Sequence, residues 1–103
     1  MSRNDAPSPK RRPVLRLYLA GNTPGGRRAL QNRARLIAEA DGRIDIEVVD
    51  VLAHPEEAEN AGILATPTLS DESVSPPRRL VGDISDRAQV LEFFGIPRKE
   101  ISP

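Results

Sequence analysis

The sequence contains no cysteine in its 103 residues, and that absence excludes a disulfide framework, a thiolate metal site and dithiol redox chemistry together. A reducing compartment fits it. No apolar run approaches the roughly 20 residues that span a bilayer, and no apolar stretch adjoins Lys10, Arg11 and Arg12 as a signal peptide would require, so a soluble, cytoplasmic protein is expected. Net charge is missing as well: 15 basic residues cancel 15 acidic ones, which argues against a nucleic-acid binder that works through a strongly basic surface. Large anchors are scarce, with only Phe93 and Phe94 in the second half.

What is present is unevenly distributed. Residues 1–13 hold four basic residues against one acidic, and 14–43 hold six against two. Residues 44–77 hold eight acidic residues and no Lys or Arg, while 78–96 balance. The head, 1–13, carries Pro7, Pro9 and Pro13 among Ser, Asn, Asp and Arg. It has too little apolar surface to offset ordering entropy and is expected to be a disordered basic segment. One domain is expected over 14–96, followed by a flexible tail at 97–103.

Val14 to Ala20 alternates, with Leu15, Leu17 and Leu19 on one face and Arg16 and Tyr18 on the other, as in a strand with one buried face. Gly21-Asn22 signals a turn, Thr23 is a fitting N-cap, and Pro24 suits the first helical position. Leu30, Ala34, Ile37 and Ala38 recur at helical spacing and are expected to face the core until Asp41-Gly42 stops the helix. Ile44 to Val51 alternates again, with Ile44, Ile46 and Val48 opposed to Asp45, Glu47 and Val49. A right-handed crossover then makes the two strands parallel.

The second half is written in shorter signals. His54-Pro55-Glu56-Glu57 opens a helix of about two turns that Gly62 closes. Ile63 to Leu69, around Pro67, fits strand or loop. Residues 70–77 read as a polar loop, and Arg79-Leu80-Val81 as a short strand closed by Gly82-Asp83. Ser85 is the expected N-cap of a last helix with Val90, Leu91 and Phe94 on one side, ended by Gly95 and Pro97.

Catalytic chemistry finds little footing in this pattern. His54 is the only histidine, and no nucleophile or partner is placed for it, so it reads as a surface or capping residue. Glu56, Glu57 and Glu59 read as a solvated, dipole-favoured face, and no metal or cofactor is assigned. The Gly21–Gly26 turn lacks both the P-loop ending and the dinucleotide spacing. Arg27, Arg28, Arg33 and Arg35 place positive charge at the start of a helix, against the dipole. A solvated face and a partner contact both remain open there.

Ala65-Thr66-Pro67-Thr68-Leu69, after a β-α-β-α pattern, resembles the segment in thioredoxin-like domains where a cis-proline precedes the third strand. Asn22-Thr23-Pro24-Gly25 stands where the cysteine pair would be, so the scaffold comes without its redox activity. Four blocks together resemble one family: Leu15–Pro24, Val49–Leu52, Ile63–Leu69 and Pro77–Ser85 are similar to KaiB, the small protein of the bacterial Kai clock. The sensor domain of the clock kinase SasA shares the plan, but no kinase region follows here, and Gly82-Asp83 looks more like KaiB.

The resemblance implies a non-enzymatic clock or timer component that binds the N-terminal ATPase ring of the KaiC hexamer, with a SasA-like kinase as competitor. It also implies a metamorphic α/β protein. A thioredoxin-like βαβαββα form binds KaiC, and a resting βαββααβ form assembles into dimers or tetramers. The KaiC-facing surface is expected around Arg28, Asp45, Glu47 and Leu52, and the fold-switch positions at Pro67, Gly82 and Asp83. Asp45 and Glu47 depart from the small or basic residues common on that strand, and Pro97–Pro103 replaces the acidic tail of cyanobacterial relatives, which weighs against KaiA capture. A KaiB-like stress or signalling protein outside any oscillator is the alternative. An enzyme of thioredoxin-like ancestry, such as a glutathione-dependent transferase fragment, is disfavoured by the missing cysteines.

Overall fold

A computed structural model describes residues 12–98; of the expected disordered head at 1–13 and flexible tail at 97–103, residues 1–11 and 99–103 lie outside the described residues. The elements follow in the order β1 (Val14–Leu19), α1 (Pro24–Glu39), β2 (Asp45–Asp50), α2 (Pro55–Ala61), β3 (Thr68–Asp71), β4 (Arg78–Val81) and α3 (Arg87–Phe94). This is the βαβαββα arrangement of the two expected. The four strands lie in the order β2-β1-β3-β4. β1 runs parallel to β2, with Leu17 opposite Val48, and antiparallel to β3, where Leu17 faces Leu69. β3 and β4 are antiparallel, with Ser70 opposite Arg79.

Alternation along β1 sends Leu15, Leu17 and Leu19 into the main core. There they join Ala29, Leu36 and Ala40 of α1 and its end, Ile44 and Ile46, Leu69, Ile84, and Val90 and Leu91 of α3. The expected α1 face is corrected by this packing. Leu30, Ala34 and Ala38 are exposed, Ile37 of the expected face does pack against the core, and the buried positions are Gly26, Ala29, Asn32 and Leu36. The helix carries two apolar stripes, and the angle at which its N-terminus joins β1 decides which one meets the sheet.

That junction is closely built. Thr23 caps α1, its Oγ1 accepting the Gly26 amide at 2.9 Å while its hydroxyl donates to the Ala20 carbonyl at 2.7 Å. A Cβ on Gly26 would overlap the Ala20 carbonyl oxygen, whereas one on Gly25 would meet nothing within 4 Å. The helix ends where Asp41 and Gly42 turn to positive φ, as expected.

Other expectations need correcting at the strand ends. β2 starts at Asp45 rather than Ile44, and at its far end Val49 is buried while Val48 is 41% exposed. Ile63–Leu69 resolves into loop, with β3 starting only at Thr68, after a cis Thr66–Pro67 peptide. β3 then extends through Asp71, two residues into the expected polar loop. The N-cap of α3 is Asp86, whose carboxylate accepts the Gln89 amide at 3.2 Å, not Ser85. A carboxylate accepts a helix-end amide more strongly than a hydroxyl does, and the helix begins at the better cap. No helix among the described residues is long and apolar enough to cross a membrane.

The two adjacent glycines give a paired test. Gly25→Ala should leave stability unchanged or raise it by up to about 1 kcal/mol, the ordinary gain in helix propensity. Gly26→Ala should lower it by about 2 kcal/mol or more, because the helix must move off β1. Urea unfolding of both variants checks the contrast; equal effects would contradict the packing described.

Candidate functional site

Tyr18 sits among the polar positions of β1, yet it is fully buried. It belongs to a network on the sheet face opposite the main core. The hydroxyl donates to Glu72 Oε2 at 2.7 Å, as does Ser70 Oγ at 3.2 Å. Arg79 gives Nη2 to the same carboxylate at 3.2 Å, Nε to Ser70 Oγ at 3.0 Å and Nη1 to the Ala61 carbonyl at the end of α2 at 2.7 Å. Arg16 approaches Glu72 Oε1 at 3.6 Å and turns its other nitrogen to Glu47 at 3.3 Å.

Burial pushes the Tyr18 phenol up, and the nearby Glu72 carboxylate adds to the shift. Burial alone would raise Glu72 too, but bonds from Tyr18, Ser70 and Arg79 and the charge of Arg16 outweigh it and hold the carboxyl below its usual range. This cluster was absent from the sequence reading. Its one signal there was a tyrosine on the charged side of an alternating strand, where a buried phenol needs a partner.

A second organised point is Asp50, at the end of β2. Its carboxylate accepts the Gly21 amide at 2.9 Å and the Leu52 amide at 3.0 Å. The Gly21 bond, with Leu52 next, holds its pKa below the ordinary value. The bond ties the β1–α1 turn to the β2–α2 turn and fixes where Leu52 projects. Leu52 is 64% exposed, and Leu64, in the loop before β3, is 97% exposed. Both belong to connections that leave the same end of the sheet.

The residues singled out from the sequence fall into separate groups. Arg28, Pro67, Gly82 and Asp83 line one groove between α1 and the β4–α3 connection. Gly82 has φ +107°, a conformation that side chains resist. Asp83 is exposed and accepts the Ser85 amide at 2.9 Å, so it braces the connection without capping α3. Asp45 and Glu47 lie across the sheet from α1, on the face of the Tyr18 network, while Leu52 stands at the sheet end. His54, Glu56 and Glu57 come together at the start of α2, all exposed, with His54 Nδ1 3.8 Å from Glu56.

Comparison with known proteins adds the following. The profile of the KaiB domain matches residues 16–96. A circadian clock oscillator protein KaiB from Synechococcus sp. (strain CC9311) is 47% identical over 85 residues, covering 82% of this chain and 71% of that one. Among solved structures, chloroplastic thioredoxin z superposes with a TM-score of 0.67 at 21% identity, covering 82% of this chain and 76% of that one. The N-terminal domain of Synechococcus elongatus SasA gives 0.65 at 22% identity, covering 91% and 94%. Those two likenesses establish a thioredoxin-like fold.

Glu72→Gln tests the network. Because the Glu72 pKa is lower in the folded state than its unfolded value of about 4.3, its contribution is complete above that pH and is lost as pH falls through the folded pKa. Wild type should therefore be the more stable at pH 7, and the two proteins should converge as pH falls through the lowered folded-state pKa of Glu72. Tyr18→Phe should cost about 1–2 kcal/mol at neutral pH. Urea unfolding across pH measures both; a constant gap between Glu72→Gln and wild type would exclude the carboxylate as the hub.

Proposed function

The chain belongs to the KaiB family, and from that membership we propose that it is a non-enzymatic clock or timer component that binds the N-terminal ATPase ring of a KaiC hexamer. The observation that carries the reading is the KaiB match over 16–96, in a chain whose described residues hold the βαβαββα arrangement. In this proposal Arg28 on α1 and Leu52 at the sheet end contact the ring, with Asp45 and Glu47 at its margin. The support is physical. Arg27, Arg28 and Arg35 hold no ion pair among the described residues, and a helix that carries Arg27 and Arg28 near its N-terminus, against its dipole, gains from an acidic partner.

Timing, in this reading, comes from a population shift. A resting βαββααβ oligomer does not bind, so the apparent affinity for KaiC is reduced by the fraction of competent fold, and onset waits on the switch. Gly82 and Asp83, with Pro67 beside them, form the hinge of the switch in this proposal. A SasA-like kinase sharing the thioredoxin-like plan competes for the ring; capture of a KaiA is not expected.

Incubating the chain with the KaiC hexamer of the same organism and ATP for hours should give a co-eluting complex and an altered rate of ATP hydrolysis. Arg28→Glu should weaken binding tenfold or more. Gly82→Ala, strained by about 1–3 kcal/mol in this form, should delay onset and lower the bound fraction. No complex and unchanged hydrolysis after such incubation would end the proposal.

A further inference from the structure

We propose that the groove between α1 and the Gly82–Ser85 connection binds a small molecule bearing a diphosphate group. Arg28, Asn32 and Arg35 all line it. Their spacing puts them on one face of α1, with the two arginine backbones about 10 Å apart along the axis and Asn32 between them. Asn32 is only 8% exposed, and its carboxamide has no hydrogen-bond partner among the described residues. A buried amide left unpaired is costly, and a ligand that pairs with it recovers that cost.

The arginines are equally uncommitted. Arg16, Arg79, Arg87 and Arg98 pair with carboxylates. Arg12, Arg33, Arg43 and Arg78 donate to backbone carbonyls. Arg28 and Arg35 do neither among the described residues. Two of the three described arginines without a partner therefore face one groove of about 480 Å³, a volume typical of small-ligand sites.

Chemistry selects the ligand class. Guanidinium forks match phosphoryl oxygens in pairs, and the Asn32 amide group can donate to an oxygen held between them. Two forks set two turns apart suit two linked phosphoryl groups better than one carboxylate. The groove's one carboxylate, Asp83, already accepts the Ser85 amide, and two positive charges against one leave the groove cationic. Arg28 also belongs to the surface proposed for KaiC, so occupancy of the groove would compete with docking. The ligand itself needs no KaiC, and its test is independent of that reading.

The test is a two-dimensional NMR titration of the full chain, without KaiC, using pyrophosphate, ADP and inorganic phosphate at constant ionic strength, with sodium chloride as control. Pyrophosphate should shift the Asn32 side-chain amide and the Gly82–Ser85 amides saturably. Arg35→Gln, an exposed change that leaves the core intact, should weaken that binding tenfold or more, as should Asn32→Leu. ADP binding more tightly than pyrophosphate would support the site and identify a nucleotide source; the reverse order would support it and identify the free inorganic ion. Shifts that do not saturate, that are matched by inorganic phosphate, or that persist in Arg35→Gln would overturn the proposal.

Discussion

The Glu72 carboxylate is the point on which the second half of this fold depends. It lies just past β3, yet it draws in Tyr18 from β1, Ser70 from β3 and Arg79 from β4. Through Arg79 it reaches the last turn of α2. α2 has no buried residue of its own, so apolar burial does little to hold it. Its start is tied to the end of β2 by the His54 amide on the Asp50 carbonyl, and its last turn by the Arg79 bond, which exists only when β3 and β4 lie beside β1. A network of this kind is cooperative: each bond is worth more in a desolvated site, and each missing member leaves the others unpaired. That is a reasonable way to hold an arrangement that a different strand order would dismantle at one stroke.

The first half has a different logic. Its burial comes from alternating leucines and isoleucines against α1 and α3, a conventional apolar core. Glu39 adds polar ties at the far end, bridging Arg87 of α3 and Arg98 beyond it. The Asp50 carboxylate joins the two turns at the other end of the sheet. The helix start is further constrained by the approach of Gly26 to the Ala20 carbonyl. The groove beside α1 is bounded by this rigid unit on one side and by the Gly82–Ser85 connection on the other. Ile84 of that connection is itself in the core, and the groove gathers Arg28, Pro67 and the adjacent Gly82 and Asp83 from three separate parts of the chain.

Much of the fold was legible because its signals are local. Thr23-Pro24 wrote the start of α1, Asp41-Gly42 its end, and the alternation of Leu15, Leu17 and Leu19 the buried side of β1. Legibility failed where two local solutions were equally good. Leu30-Ala34-Ala38 and Ala29-Leu36-Ala40 are both plausible helix faces, one residue apart in phase. Val48 and Val49 are both β-branched, and which one is covered depends on where α2 settles. The residues expected at a partner surface were found on three regions of the molecule, because sequence spacing says nothing about which sheet face or end a strand presents.

By itself, the sequence determined the β-α-β unit, its parallel pairing, and the absence of thiol chemistry from a scaffold that elsewhere supports it. These follow from contacts within a turn or two and from the handedness of one crossover. Tertiary structure alone decided which face of α1 is buried, which strand order the second half takes, and what satisfies the buried phenol. Tyr18 and its acceptor are separated by 54 positions, and no local preference at either one encodes the other. A bond of that range exists only after the chain has paid the entropy of bringing β3 to β1.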